Sequence, residues 1–345
     1  MQLAKQNISS RPVAIWLLVG VAMIMIQVLL GGITRLTGSG LSITEWKPIL
    51  GTIPPLNEQD WLKAFDQYKQ IGQYKHINFS FTLEDFKFIY FWEWLHRVWA
   101  RLIGVVFIIP FIIFLVKRRF KKEMIYPMII LFLLGILQAR LGWIMVKSGL
   151  NDENIYVSHI RLAIHFIAAL GLLCYTLWFA LKLLVPSTHF IVQPPLQKFT
   201  AWITAALVIQ LIYGAFMAGL KAAVFAPTWP TINGMWWPEG MGSIINGPIA
   251  VQFIHRGLAY VLTVLIFIWW HKAGKIPGSG IFIKTRFIPL LLVLLQVLLG
   301  VFTVVYSPDK EKLLWLGVSH QFVAMLLLLS FTQMLYLIRK RQVSG

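Results

Sequence analysis

Glu93-Trp94-Leu95-His96-Arg97-Val98-Trp99-Ala100-Arg101-Leu102 is the stretch that decides the fold. It opens an apolar run, and its pattern returns 159 positions later as Gln252-Phe253-Ile254-His255-Arg256-Gly257-Leu258-Ala259. Two further histidines, His165 and His320, sit in later apolar runs, 155 positions apart. Ionisable side chains inside such runs are costly toward lipid, so they face a bundle interior or a site.

The surroundings fix the class. The chain of 345 residues is 58% hydrophobic and only 13% charged, a balance that excludes a soluble core. Eight runs are long enough to cross a bilayer at ~20 residues each: 13–33, 92–116, 125–146, 159–182, 199–220, 250–271, 286–306 and 314–338. The first reads as a span and not as a removable leader. Each run is expected to be helical, because lipid offers backbone groups no partner. The single cysteine, Cys174, lies mid-run, which excludes an intramolecular disulfide and a CxxC metal or redox site.

Charge predicts the orientation. One set of connections carries Lys5 and Arg11; Lys117, Arg118, Arg119, Lys121 and Lys122; Lys182 and Lys198; Lys272, Lys275, Lys284 and Arg286; and Arg339, Lys340 and Arg341. Its one acid is Glu123. The positive-inside rule then places both termini in the cytoplasm. The net charge of +18 therefore reads as topology and not as nucleic-acid binding. The long segment 34–91 falls outside. It mixes Trp61, Phe65, Tyr68 and Tyr74 with balanced charge and predicts an ordered, partly helical cap. Thr82-Leu83-Glu84-Asp85 has the form of a helix N-cap. The second long outer loop, 221–249, carries Trp229, Trp236 and Trp237, aromatics of the kind that mark the membrane interface.

A second motif runs through the odd-numbered spans: Gln27/Gly31, Gln138/Gly142, Gln210/Gly214 and Gln296/Gly300. The i, i+4 spacing puts both residues on one helix face, where the glycine lets a flat ligand or another backbone approach. Gln296 follows Gln138 by 158 positions and Gln210 follows Gln27 by 183, the excess matching the longer first outer loop. The expected architecture is an all-α polytopic membrane protein of eight transmembrane helices. They form two pseudo-symmetric four-helix bundles, 1–190 and 191–345, in the same orientation.

Two histidines from facing helices of a bundle can ligate a haem iron axially. His96 with His165, and His255 with His320, form one such pair in each half; the competing reading is four hydrogen-bonded core imidazoles. Zinc is disfavoured, since neither acid nor cysteine completes a four-ligand shell. Arg97 and Arg256 lie toward the aqueous edge, where they either pair with haem propionates or snorkel. Glu93 stands one turn from His96, and its counterpart is the neutral Gln252. It either handles protons or charge beside a haem, or caps a helix start. His76, His189 and His271 have no repeat partner and receive no role. His159 also has none and is expected at the surface.

The chain resembles the haem A synthases of mitochondria and many proteobacteria, over nearly its whole length. The resemblance rests on Gly32-Ile33-Thr34-Arg35-Leu36-Thr37-Gly38-Ser39-Gly40-Leu41-Ser42, Glu45-Trp46-Lys47-Pro48 and Pro54-Pro55-Leu56-Asn57. It continues in Phe86-Lys87-Phe88-Ile89-Tyr90, the Glu93–Arg97 phrase, Gly142-Trp143-Ile144-Met145-Val146-Lys147-Ser148-Gly149-Leu150 and Ala218-Gly219-Leu220-Lys221. The resemblance implies oxidation of a ring methyl of haem O to the formyl group of haem A, through hydroxylated intermediates, for cytochrome oxidase. It implies a substrate site at Glu93, His96 and His165 in the N-terminal half, and a haem b at His255 and His320 in the C-terminal half.

The four histidines lie near the outer starts of the even-numbered spans and the four glutamines near the outer ends of the odd-numbered ones, so the site is expected toward the outer, periplasmic leaflet of a bacterial inner membrane. Expected partners are membrane lipid, the synthase that supplies haem O, and an electron donor, quinol or a ferredoxin-like protein. No nucleic acid is expected, and a homo-oligomer stays open. Some bacterial relatives carry a cysteine pair in the first outer loop; this chain has none there, so no thiol–disulfide step occurs in that loop. The competing function is a dihaem cytochrome b that only moves electrons from quinol. A transporter or haem chaperone fits less well, since no broken span is evident.

Overall fold

The computed structural model describes residues 10–45, 50–151 and 153–339. Trp46, Lys47 and Pro48 of one quoted motif, and Lys5, Lys340 and Arg341 of the charge pattern, lie outside the described residues. In chain order the helices are α1 (Arg11–Leu36), α2 (Glu58–Tyr68), α3 (Gly72–His76), α4 (Leu83–Val116), α5 (Lys122–Lys147) and α6 (His159–Leu184). There follow α7 (Pro194–Gly219), α8 (Pro248–Gly274), α9 (Gly280–Thr285), α10 (Ile288–Val305) and α11 (Lys310–Leu337). Eight are long and apolar enough to cross a membrane, α9 running on into α10 as the seventh crossing. The described residues contain no sheet, only two isolated bridges.

The helix ends follow from local chemistry. α1 stops in a Schellman motif: Gly38 takes a left-handed φ of 73°, its N–H reaches Arg35 O, and Ser39 N–H reaches Thr34 O. α4 starts at Thr82, whose hydroxyl accepts from Asp85 N–H while Asp85 returns a bond to Thr82 N–H. The capping signal is thus real, but it opens the second crossing itself. That helix begins nine residues earlier than the apolar run suggests, because Phe86 and Ile89 bury their faces against the cap.

The cap is α2 and α3, packed through Phe65, Tyr68 and Ile71 onto Phe86. Tyr68 donates to Gln73 Oε1 at 3.0 Å, and Gln73 Nε2 reaches Gly38 O at 3.2 Å, which ties the cap to the end of α1. Burial pushes the Tyr68 phenol up to about 12, so it remains a donor at neutral pH.

α1, α6, α7 and α11 form the middle of the molecule, through Val21, Ile24, Leu170, Leu173, Ile203, Leu207, Met325 and Leu328. α4 and α5 lie outside them on one flank, α8 and α10 on the other. Two indoles bind α1 to α4. Trp16 Nε1 donates to Val106 O at 2.8 Å, and Trp99 Nε1 to Met23 O at 2.9 Å. The first has a clear cause: Pro110 has no N–H, so Val106 O loses its helical donor and the indole replaces it.

Candidate functional site

The four Gln-x3-Gly motifs are placed with close regularity. Gln27, Gln138, Gln210 and Gln296 each lie nine residues before the last residue of α1, α5, α7 and α10. At ~1.5 Å per residue that is ~13 Å below the helix end, deeper than the shallow outer position the sequence implied. Along their helices His96 and His320 are the fourteenth and eleventh residues of α4 and α11, not in the first turns, because both helices start before their apolar runs.

Each histidine ring rests on the glycine of a preceding motif. A Cβ added at Gly142 would lie 2.9 Å from His165 Cε1, and one at Gly300 would lie 3.0 Å from His320 Cε1. At Gly31 it would lie 3.3 Å from His96 Nε2, and at Gly214 3.4 Å from His255 Cε1. Each glycine therefore makes room for an imidazole. The glutamines join in. Gln138 Nε2 lies 3.2 Å from His165 Nδ1, Gln210 Nε2 reaches His255 O at 3.0 Å, and Gln296 Nε2 lies 3.1 Å from His320 Nε2.

These groups line one continuous cavity of about 1130 Å³ that contains all four histidines. Pockets for one small ligand run to roughly 300–1,000 Å³, so the space suits more than one. The donor set fits haem. The Oε1 atoms of Gln27, Gln138, Gln210 and Gln296, and Nδ1 of His255 and His320, are buried without a hydrogen-bond partner. Buried polar atoms in native structures are otherwise almost always paired, so this cluster signals a missing ligand. The rings of His255 and His320 are 6.4 Å apart, centroid to centroid. Two metal–nitrogen bonds of ~2 Å and two imidazole radii of ~1 Å span about that distance. Among the described residues no cluster of three or more His, Cys, Asp or Glu offers a metal site of another kind.

Glu93 is buried and fully engaged. It accepts from Arg97 Nη2 at 2.6 Å, from Ser42 Oγ at 2.7 Å and from Ile43 N–H at 2.9 Å. It lies ten residues into α4, so the helix-cap reading fails. Arg97 also donates to Ile43 O and Glu45 O. The second half repeats the device with an amide. Gln252 Nε2 and Arg256 Nη2 both reach Ala226 O, and Arg256 Nη1 reaches Thr231 O. In each half this i, i+4 pair holds the backbone of its own outer loop against the cavity. Arg256 Nε and Gln252 Oε1 stay buried without a hydrogen-bond partner.

Sequence reasoning missed a basic cluster at the mouth. Arg35 Nη2 caps the end of α7 at Gly219 O, 2.8 Å away, and its guanidinium lies 5.5 Å from the Tyr156 ring. Lys221 Nζ lies 4.0 Å from the same ring and donates to its hydroxyl at 2.7 Å. Lys221 has a left-handed φ of 53°, at the position where the first half uses Gly38. A left-handed non-glycine residue is strained by ~1–2 kcal/mol, and such strain clusters at functional sites. Its place in the repeat was the available signal. His159, expected at the surface, is instead wedged against Gly219 and Phe216 between α6 and α7.

Comparison with known proteins points the same way. A family model described as "Cytochrome oxidase assembly protein" matches residues 14–332. A protein of Flavobacterium johnsoniae named "Heme A synthase" is 41% identical, covering 96% of this chain and 99% of its own length. Proteins of the same name from Nitrosospira multiformis and Wolbachia pipientis are each 37% identical, over 92% and 97% of this chain and 90% and 95% of their own.

Proposed function

The chain belongs to the cytochrome oxidase assembly protein family of the haem A synthases, and on that premise we propose how its two halves divide the work. It is a multi-pass membrane oxidoreductase that converts haem O to haem A for cytochrome oxidase assembly.

Residues 1–190 hold the substrate, with its iron between His96 and His165. Residues 191–345 hold a haem b between His255 and His320. The observation that carries this division is a difference in packing. α8 and α10 pack against each other, whereas their counterparts α4 and α5 scarcely meet. A closed flank suits a resident cofactor; an open one suits a ligand that must leave. When bound, haem b supplies one-electron redox chemistry beside the substrate. The outside electron partner would be a quinol or a ferredoxin-like protein.

The protein's own groups do the rest. Gly31 and Gly142 seat the rings of His96 and His165. Glu93, with both oxygens accepting, holds Ser42 and Ile43 over the substrate site as a roof that excludes water. Arg35 and Lys221 form the basic end of the cavity and take the substrate's propionates. Arg97 and Arg256 fix the loops at the porphyrin edges, Arg256 keeping Nε free for a carboxylate. The basic connections lie on the opposite side, which supports a site toward the outer, periplasmic leaflet of the inner membrane.

Single alanine variants of the four histidines test this. His255→Ala or His320→Ala should lose the haem b spectrum. His96→Ala or His165→Ala should keep it but retain no haem O. A full complement of both haems in any of the four would refute the assignment.

A further inference from the structure

We propose that haem O enters the N-terminal cavity sideways from the bilayer, through a slot between α4 and α5, with its apolar tail lying in the slot. This rests on the reading that the N-terminal half holds the substrate.

The slot has a definite position. Gly104 on α4 and Gly135 on α5 both line the cavity. A Cβ added to either would meet no atom within 4 Å. They stand at one depth, 12 and 13 residues from the ends of their helices on the basic side, or ~18–20 Å along the axis. Packed helices approach to ~8–10 Å, and here the partner is missing. The repeat offsets place Thr263 and Val293 at the equivalent points of the other half. Val293 is only 3% exposed in the core cluster, and α8 and α10 pack against each other. The most apolar stretches of α4 and α5 are 0% and 6% buried, against 28% and 17% for the crossings that match them.

Two other approaches to the N-terminal site are blocked. Above, Glu93 and Arg97 hold the 42–45 backbone over the site. Below, Trp16 stacks on Phe107 at 5.3 Å and bonds to Val106 O. What remains is a lipid-facing gap lined by glycine and apolar side chains, among them Ile103, Phe132 and Ile136, beneath a mouth carrying Arg35 and Lys221. That pattern matches an amphiphile with carboxylates at one end and a hydrocarbon tail at the other. Such a molecule partitions into lipid, so a lateral route spares it a passage through water.

The test fills the slot and leaves the other half alone. Gly135→Trp, and the double variant Gly104→Thr with Gly135→Val that copies the second half, are reconstituted in liposomes containing haem O. Leu133→Trp, on the lipid side of α5 and outside the cavity, serves as control. Haem b retained at His255 and His320 reports that each variant is folded. The slot variants should load haem O at least tenfold more slowly, with haem b unchanged and the control at the wild-type rate. Loading at the wild-type rate in Gly135→Trp overturns the slot while leaving the substrate assignment intact. Equal slowing in Leu133→Trp also overturns it, since that result marks the face as a contact with a second copy. If the wild-type protein itself takes up no haem O, the slot falls together with its premise.

Discussion

Gly300→Ala should release haem b from a protein that is otherwise more stable. The added methyl carbon would sit 3.0 Å from His320 Cε1, against a normal carbon–carbon separation of ~3.5–4.0 Å. The ring must retreat by ~0.5 Å or more, and metal–ligand distances tolerate only ~0.2 Å. Gly214→Ala places its carbon 3.4 Å from His255 Cε1, an ordinary contact, and serves as the matched control. Both changes replace a mid-helix glycine with alanine, which by itself stabilises a helix by ~1 kcal/mol. Disturbing groups that orient a metal ligand typically lowers affinity 10–100-fold. Titrating each purified apo-variant with haem b and following its absorbance should therefore show Gly300→Ala 10–100-fold weaker than wild type, with Gly214→Ala within about threefold. Equal affinities for the two variants would refute the view that glycine–imidazole contacts set the ligand geometry.

Three further outcomes follow from other parts of the molecule. Trp16→Phe keeps the stack on Phe107 but leaves Val106 O without a donor, and should lower stability by ~1–3 kcal/mol. In a Pro110→Ala background the new backbone N–H should cancel most of that loss, which a double-mutant cycle of thermal unfolding in detergent measures. Lys221→Gly removes a strained residue and an ammonium together, so the melting temperature should rise while haem O binding weakens about tenfold. Glu93→Gln should stay folded and keep haem b, since Arg97 retains Ile43 O and Glu45 O, yet produce haem A more slowly. Undiminished haem A production would remove the carboxylate from the mechanism.

Much of this was legible in the sequence for a simple reason. Crossing a bilayer demands long apolar runs, and a repeated motif shows its matched residues twice. The eight crossings and the matched histidine, glutamine and glycine positions are of that kind. What the glycines accept was not legible, because the i, i+4 spacing shows a common face but not which side chain comes to it. Nor was the state of Glu93: its partners Ser42 and Ile43 lie some fifty positions away, on a loop whose return no periodicity encodes. Arg97 and Arg256 read as edge cations that pair with propionates or snorkel, yet each gives two bonds to loop carbonyls for the same reason. The basic cluster of Arg35 and Lys221 forms only when the ends of α1 and α7 meet. The gap beside α4 is a property of packing, and two helices of equal hydrophobicity give no hint of whether they touch.

If one chain grips two different iron porphyrins, purifying the protein after co-expression with a haem O source and separating the extracted haems should yield haem b together with haem O or haem A, in comparable amounts, with the haem b fraction alone lost in His255→Ala. A colourless protein, or an extract containing haem b only, would contradict that.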